Sequence, residues 1–142
     1  MYRKTIACLV AAMAMLVLGA VAARAAGPSV KVMKKDGVGS YLTDGKGMTL
    51  YYFAKDTPGK SACTGACLEK WPALMKGASL SVTEGLDAKD FGAIANGGGQ
   101  QVTFRGYPLY YFFKDAAPGD TKGHGVNDIW FVVDPAKFPP AK

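Results

Sequence analysis

The stretch Leu50-Tyr51-Tyr52-Phe53-Ala54-Lys55-Asp56 occurs a second time in this chain, as Leu109-Tyr110-Tyr111-Phe112-Phe113-Lys114-Asp115. The two copies are offset by 109 − 50 = 59 residues, and six of their seven positions are identical. Trp71 and Trp130 share that offset, since 130 − 71 = 59. A period of 59 is longer than solenoid repeats usually have, so two copies predict one domain whose halves share a core.

Each copy of this stretch is predicted to form the returning strand of a β-hairpin. In the first repeat, residues 40–43 lead into the turn Asp44-Gly45-Lys46-Gly47, and residues 48–54 return. In the second, residues 101–104 and 107–113 flank the turn at Arg105-Gly106. Glycine reaches positive φ without a steric penalty, which favours tight turns at both places.

The remaining pattern predicts a mainly β fold with short helical turns. Further strands are expected over 30–33 and 129–133, and helical turns over 67–71 and 87–94, the latter capped by Asp87. We therefore expect a single pseudo-two-fold domain built from two hairpin-containing repeats. A lead-in with a short strand occupies 26–38, and the tandem-repeat domain occupies 39–142, with repeat 1 over about 39–75 and repeat 2 over about 98–135.

Side chains alternate along the repeated strand. Tyr51 and Phe53 share one face, while Leu50 and Tyr52 lie on the other. Large apolar groups on both faces favour a covered strand, whereas exposed rings would make an aromatic ligand groove; the sequence leaves both interpretations open. Buried tyrosine hydroxyls need hydrogen-bond partners. For the hydroxyls of Tyr51 and Tyr110, the candidate acceptors are the aspartates five residues further on, Asp56 and Asp115. The complete set of repeat-motif residues is Tyr51, Phe53, Asp56, Trp71, Tyr110, Phe112, Asp115 and Trp130.

The first 25 residues have the organisation of a secretory signal peptide. Arg3 and Lys4 precede an apolar run over residues 6–18, and Ala23-Arg24-Ala25 offers a cleavage site. The mature chain would then have 142 − 25 = 117 residues, which suits one compact domain. No later segment is apolar enough to span a bilayer, so we expect a soluble exported protein with no integral membrane segment after cleavage.

Charge argues against a nucleic-acid partner. The chain has 17 basic and 11 acidic residues, and removing Arg3, Lys4 and Arg24 leaves 14 − 11 = +3. Apart from the cluster Lys31, Lys34 and Lys35, the basic residues are dispersed. Such a chain lacks the concentrated positive field that nucleic-acid binding requires.

The motifs together resemble bacterial secreted repeat proteins described as predicted lipoproteins with a conserved Tyr-x-(Phe/Trp/Tyr)-x-x-Asp motif. The resemblance rests on the two Tyr-x-Phe-x-x-Asp copies, Cys63-Thr-Gly-Ala-Cys67, Trp71-Pro72 and Gly106-Tyr-Pro-Leu-Tyr-Tyr-Phe. It implies an exported envelope protein with tandem repeats and no established activity. This chain has no cysteine just after its apolar run, so a periplasmic or secreted form without a lipid anchor is expected.

Cys63 and Cys67 are the cysteines that remain after signal cleavage, and an even pair in an oxidising compartment favours a disulfide. The alternative is a copper or zinc site. Two thiolates could bind either metal, with His124 and one methionine (Met33, Met48 or Met75) completing the ligand set. His124 lies between two glycines, which is equally typical of an exposed loop.

No catalytic constellation stands out. Ser61, His124 and either Asp120 or Asp128 have the residue types of a triad, but no nucleophile-elbow pattern surrounds a serine. We therefore expect a non-catalytic binding or envelope accessory protein without a cofactor, whose partner is an envelope protein or a small ligand. The alternative is a periplasmic copper- or zinc-handling protein that uses Cys63, Cys67 and His124.

Overall fold

A computed structural model describes residues 27–83 and 85–139 of the chain. The predicted signal peptide, residues 1–25, lies outside this part. Within the described residues, no helix has the length and apolar character needed to cross a membrane. The strands are β1 (Ser29–Lys35), β2 (Gly39–Asp44), β3 (Tyr51–Phe53), β4 (Ser81–Val82), β5 (Phe91–Asn96), β6 (Gly99–Phe104), β7 (Tyr107–Pro108) and β8 (Trp130–Val132). The helical elements are α1 (Cys67–Lys70) and 3₁₀ turns at Ala88–Asp90 and Val126–Asp128.

The strands form three small sheets, in the orders β2-β1-β4, β3-β8 and β5-β6-β7. β1 and β2 are antiparallel, whereas β4 runs parallel to β1. The β3–β8 pair joins the first repeat to the end of the second, with Tyr51 opposite Val132 and Phe53 opposite Trp130. The two repeats are therefore interleaved within one domain.

Both predicted hairpins are present, but their returning strands are shorter than expected. The Leu50 N–H donates to Leu42 O at 3.0 Å, and the Leu109 N–H donates to Val102 O at 3.0 Å. Beyond these residues the two returning segments meet each other through the Tyr51–Tyr110 pair, whose backbone N–H groups donate reciprocally at 2.8 and 3.0 Å. The regular strands are confined to β3 and β7 because the chain leaves each hairpin to make this contact.

The contacts around this central pair obey a pseudo-two-fold relation. The Gly119 N–H donates to Gly47 O at 3.2 Å, and the Gly59 N–H donates to Gly106 O at 2.7 Å. Gly59 and Gly119 each follow a proline in a tight turn, Pro58-Gly59 and Pro118-Gly119. The hairpin turn of each repeat thus holds the Pro-Gly turn of the other. The architecture is mainly β with short helical turns, and its two repeats share one domain, as the sequence predicted.

The helix predicted over 87–94 is wrong. Asp87 does cap a turn, because its Oδ1 accepts the Lys89 N–H at 2.9 Å, but the turn ends at Asp90. The chain then enters β5, which pairs along its whole length with β6. Gly97 and Gly98, at φ +61° and +79°, close the hairpin and make this pairing possible.

Two core clusters lie on opposite faces of the repeated strands. Leu50 and Leu109 belong to a mainly aliphatic cluster that also contains Phe104 and Phe138, and Tyr52 and Tyr111 are half-buried against it. The other cluster is aromatic, and its fully or almost fully buried members are Tyr41, Tyr51, Phe53, Cys63, Trp71, Tyr110, Phe112, Trp130 and Val132. Strand alternation therefore assigns the two faces of the repeated stretch to two different clusters.

Candidate functional site

The repeated tyrosines bond to the aspartates of the opposite repeat. The Tyr51 hydroxyl donates to Asp115 Oδ2 at 2.6 Å, and the Tyr110 hydroxyl donates to Asp56 Oδ2 at 2.7 Å. Aspartate is the acceptor type that the sequence suggested, but the pairing crosses between the repeats. Each bond therefore ties one half of the chain to the other.

The other polar atoms of these groups also have partners. Asp56 Oδ1 accepts the Ala62 N–H at 2.6 Å, and Asp115 Oδ1 accepts the Lys122 N–H at 3.0 Å. The Tyr51 oxygen accepts the Gly123 N–H at 3.1 Å. The Tyr110 oxygen lies 2.5 Å from the Ser61 hydroxyl. A buried network in which every member is satisfied rigidifies a core.

Burial controls the protonation of this network. Removal from water raises the pKa of Tyr51 and Tyr110 well above the ordinary 10.0, and hydrogen bonding to their aspartates adds to the effect. Burial also raises the pKa of Asp56 and Asp115, although the N–H and hydroxyl donors on each carboxylate oppose that rise. The tyrosines consequently stay neutral donors throughout the physiological pH range.

The aromatic residues of both repeats form one stack of four rings. Trp71 and Trp130 lie face to face, with centroids 3.8 Å apart and planes 3° apart. Phe112 stacks on Trp71 at 4.3 Å, and Phe53 stacks on Trp130 at 4.3 Å. The stack alternates between repeats, because each phenylalanine covers the tryptophan of the other repeat.

The buried stack excludes the exposed aromatic groove. Tyr51 meets Trp71 edge-on at 5.5 Å, and Tyr110 meets Trp130 edge-on at 5.2 Å. Both tyrosines are 0% exposed. The repeat motif therefore builds the core, and a ligand cannot reach its rings without unfolding it.

Cys63 and Cys67 form the predicted disulfide, with an S–S distance of 2.01 Å and Cα atoms 5.3 Å apart. The bridge connects a fully buried residue to the first residue of α1. The Trp71 N–H donates to Cys67 O at 3.0 Å, so the bridged segment fixes the entry of Trp71 into the stack.

The disulfide occupies both cysteines of the alternative copper or zinc site, Cys63 and Cys67. His124 is exposed, and its Nδ1 accepts the Val132 N–H at 3.1 Å. Met33 packs against the aromatic cluster. In residues 27–83 and 85–139, no three histidine, cysteine or acidic side chains are grouped closely enough to hold a metal ion.

The serine considered for a triad is occupied elsewhere. Besides meeting the Tyr110 hydroxyl, Ser61 Oγ donates to Cys63 O at 3.0 Å. It also accepts an N–H of the Asn96 side chain at 3.1 Å. Ser61 therefore belongs to the core network and has no histidine partner in the described structure.

Sequence reasoning missed a cleft on the surface beside Tyr52. This cleft, which we call the Tyr52 cleft, has a volume of about 320 Å³ and is lined by Tyr52, Ala54, Lys55, Asp56, Thr57, Pro58 and Tyr107. Burial and the neighbouring Tyr107 raise the pKa of Tyr52. The repeat itself carried the signal, because Tyr52 recurs as Tyr111 on the strand face opposite the stack.

The equivalent tyrosine of the second repeat has a different environment. The Tyr111 hydroxyl donates to Asp44 Oδ2 at 2.9 Å, and burial raises its pKa above the ordinary 10.0. In the described residues, the Tyr52 hydroxyl has no protein hydrogen-bond partner. The ring of Tyr52 packs against the core, but its hydroxyl is not hydrogen-bonded within the described structure and is available in the Tyr52 cleft.

A comparison with protein-family models matches residues 32–75 and 93–134 to Lipoprotein_15, a secreted repeat of unknown function. The chain belongs to this family. Searches of curated proteins and of solved structures found no match. Together the two matched segments contain both copies of the repeated stretch, both stacked tryptophans and the disulfide.

The crossed contacts join residues of the two segments that match the secreted-repeat family. Tyr51 and Trp71 lie in the first matched segment, and Asp115 and Phe112 lie in the second. The Tyr–Asp bonds and the Trp–Phe stacks therefore connect one family repeat to the other. In this member, two family repeats jointly complete one core.

Proposed function

We propose that this protein is a non-catalytic binding or accessory module of the bacterial envelope, exported by the leader in residues 1–25. The reciprocal Tyr51–Asp115 and Tyr110–Asp56 bonds carry the proposal. They place the most reactive side chains of the repeat motif inside the core. General acid–base catalysis requires such groups to reach a substrate within hydrogen-bond distance.

Binding in this proposal takes place at the Tyr52 cleft. Its volume of about 320 Å³ is at the small end of the range for ligand pockets, roughly 300–1,000 Å³. Tyr52 and Tyr107 are half-buried, and Lys55 is exposed. Aromatic surfaces with polar ends, next to one ammonium group, suit a small ligand or a protruding side chain of an envelope protein.

Site-specific photocrosslinking tests this proposal. Lys55 is replaced by p-benzoylphenylalanine in the full chain, which is expressed with its leader in the native host. The matched control carries the same group at Lys114, the equivalent position of the second repeat, which lies outside the cleft. We expect a discrete adduct from position 55 and none from position 114, and the adduct's mass distinguishes a small ligand from a protein. No adduct at position 55, or equal adducts at both positions, contradicts the proposal.

The exported location and the domain limits have their own test. We propose cleavage after Ala25, a lead-in over 26–38 and a repeat domain over 39–142, with the mature protein in the periplasm or the medium. Intact mass spectrometry after cell fractionation should give the mass of the chain from Ala26, two hydrogens light for the disulfide. A full-length mass, or a mass increased by lipid, contradicts this part of the proposal.

A further inference from the structure

β5 is one of the two edge strands of the sheet β5-β6-β7. It spans Phe91–Asn96, and each of its six residues pairs with β6 in an unbroken antiparallel register, from Phe91 opposite Phe104 to Asn96 opposite Gly99. Its other edge faces away from β6. An edge strand presents a row of unpaired N–H and C=O groups to any chain that can align with it.

The bonds of β6 show which groups of β5 point outward. Ala93 lies opposite Val102, and Ala95 lies opposite Gln100. The Val102 N–H donates to Leu74 O at 2.8 Å, and Gln100 O accepts the Lys76 N–H at 2.8 Å, so both residues bond away from β5. In an antiparallel ladder, the residues opposite them also direct their backbone groups outward. Within residues 27–83 and 85–139, the outward N–H and C=O of Ala93 and Ala95 have no hydrogen-bond partner.

β5 lacks the features that usually protect an edge. Natural sheets block such edges with lysine, proline or a β-bulge. Residues 91–96 contain no charge and no proline, and their register with β6 has no bulge. The 14 residues from Phe91 to Phe104 are all uncharged.

We propose that the protein forms a two-fold homodimer in which β5 pairs antiparallel with β5 of a second copy. Ala93 then lies opposite Ala95 of that copy, and the two Ile94 residues meet on the axis. The four outward-facing groups of one copy form four hydrogen bonds with the four of the other copy. The two three-stranded sheets become one six-stranded sheet.

Charge favours a second copy as the occupant of this edge. In the proposed register, Phe91 lies opposite Gly97 of the other copy, so Lys89 and Asp90 at the start of one β5 lie near the neutral Gly97-Gly98 turn of that copy. No like charges therefore face each other, and an uncharged strand pairs with an equally uncharged one. A two-fold contact of this kind is self-complementary, as most homodimer interfaces are.

The main test measures the mass of the mature protein by sedimentation over a range of concentrations. Ala95→Pro removes an outward N–H that the β5–β6 ladder does not use, and proline is tolerated on the open side of an edge strand. Ala95→Val retains the N–H and is the matched control. We expect dimers for the wild type and Ala95→Val, and a folded monomer for Ala95→Pro. A wild type that remains monomeric, or an Ala95→Pro dimer, overturns the proposal.

Cross-linking gives a second test that does not depend on the fold of the proline variant. Across the axis, the two Ile94 residues form a non-hydrogen-bonded pair with Cα atoms about 4.5 Å apart, within disulfide range. Ile94→Cys should therefore form an intermolecular disulfide under mild oxidation. Gly92→Cys is the control, because its two copies would be about 13 Å apart. The absence of an Ile94→Cys cross-link, or an equally strong Gly92→Cys cross-link, overturns the proposed register and the dimer. Capture of a different protein at this edge overturns the choice of a second copy as the partner.

Discussion

At the scale of single residues, each position of Tyr-x-Phe-x-x-Asp has a separate task in the shared core. The tyrosine bonds the aspartate of the other repeat, and the phenylalanine stacks on the tryptophan of the other repeat. The aspartate also holds its own following loop, as Asp56 does through the Ala62 N–H. The spacing follows from the strand: two residues separate side chains on one face, and the aspartate comes after the strand ends.

The rings packed around Gly123 leave no room for a larger side chain at this position. A Cβ at this position would lie 2.8 Å from Tyr51 Cζ and 2.9 Å from Trp71 Cζ3. Because both rings are held by the stack and by hydrogen bonds, they cannot move aside easily. We expect Gly123→Ala to lower the free energy of unfolding by about 1–3 kcal/mol, measured by urea denaturation.

Gly92→Ala provides the control for this substitution. Its Cβ would meet only the Thr103 hydroxyl, at 3.1 Å, on an exposed strand position. We expect a change within about 0.5 kcal/mol there, as for most surface substitutions. If Gly123→Ala were as mild as Gly92→Ala, the close packing of Tyr51 and Trp71 around this loop would be refuted.

The sequence predicted the individual residues of the core better than their pairing. Strand alternation placed Tyr51 with Phe53, and burial required acceptors for the tyrosine hydroxyls. The crossing of Tyr51 to Asp115 could not be predicted, because the offset between repeats says nothing about how the halves face each other. Tyr52 was missed for the same reason, since its cleft depends on Tyr107 from the other repeat.

At the scale of secondary-structure elements, the two tryptophans arrive in similar ways. α1 precedes Trp71, and the 3₁₀ turn Val126–Asp128 precedes Ile129 and Trp130. Only the first of these turns is tied by a disulfide: adding 59 to the cysteine positions gives Lys122 and Val126. The second repeat thus delivers its tryptophan without a covalent bridge.

Removal of the disulfide should therefore weaken the fold without abolishing it. The loop between Cys63 and Cys67 is short, and closing it stabilises the folded state by about 2 kcal/mol in the chain-entropy model. We expect the double variant Cys63→Ala/Cys67→Ala to lose roughly that amount in urea unfolding while remaining cooperative. Reduction of the wild type should give a similar loss. An unfolded double variant would show that the bridge is a requirement of the fold.

β5 shows where prediction of elements from sequence failed. Phe91 and Ile94 are three residues apart, a spacing that suits a helix as well as a strand. Residues 91–96 form a strand because they pair with β6 across the Gly97-Gly98 turn. The helical spacing within 91–94 gives no information about that pairing. β1 was predicted from the alternation over 30–33, and β8 from the short apolar run over 129–133, which ends at Asp134-Pro135.

At the scale of the whole molecule, stability rests on contacts between the repeats. The central Tyr51–Tyr110 backbone pair, the crossed Tyr–Asp bonds and the four-ring stack all join one half to the other. Neither half contains a complete version of any of them. Each family repeat in this chain therefore supplies half of the core, and the other repeat of the same chain completes it.

The buried tyrosines should make the whole molecule sensitive to alkali. Tyr51, Tyr110 and Tyr111 have pKa values raised above 10.0, chiefly by burial. Their contribution is fully present below pH 10 and is lost above it, because the unfolded chain then releases protons that the folded chain retains. Each buried tyrosine should lower the free energy of unfolding by about 1.4 kcal/mol per pH unit in that range.

Urea denaturation at a series of pH values above about 10 measures this slope. Tyr111→Phe removes one of the three groups, so its slope should be smaller than that of the wild type by one tyrosine's share. A wild-type stability that stays flat above pH 10, or an unchanged slope in Tyr111→Phe, would contradict the assignment of these hydroxyls to the interior.

The most direct test of the hydrogen bonds that cross between the repeats compares two double-mutant cycles measured by urea denaturation. One combines Tyr51→Phe with Asp115→Ala, the pair that bonds between repeats at 2.6 Å. The other combines Tyr51→Phe with Asp56→Ala, the two motif positions of a single repeat. We predict a coupling of about 1–3 kcal/mol in the first cycle and one within about 0.5 kcal/mol of zero in the second. A strong coupling inside the repeat, with none between the repeats, would contradict a core in which each tyrosine bonds to the aspartate of the other repeat.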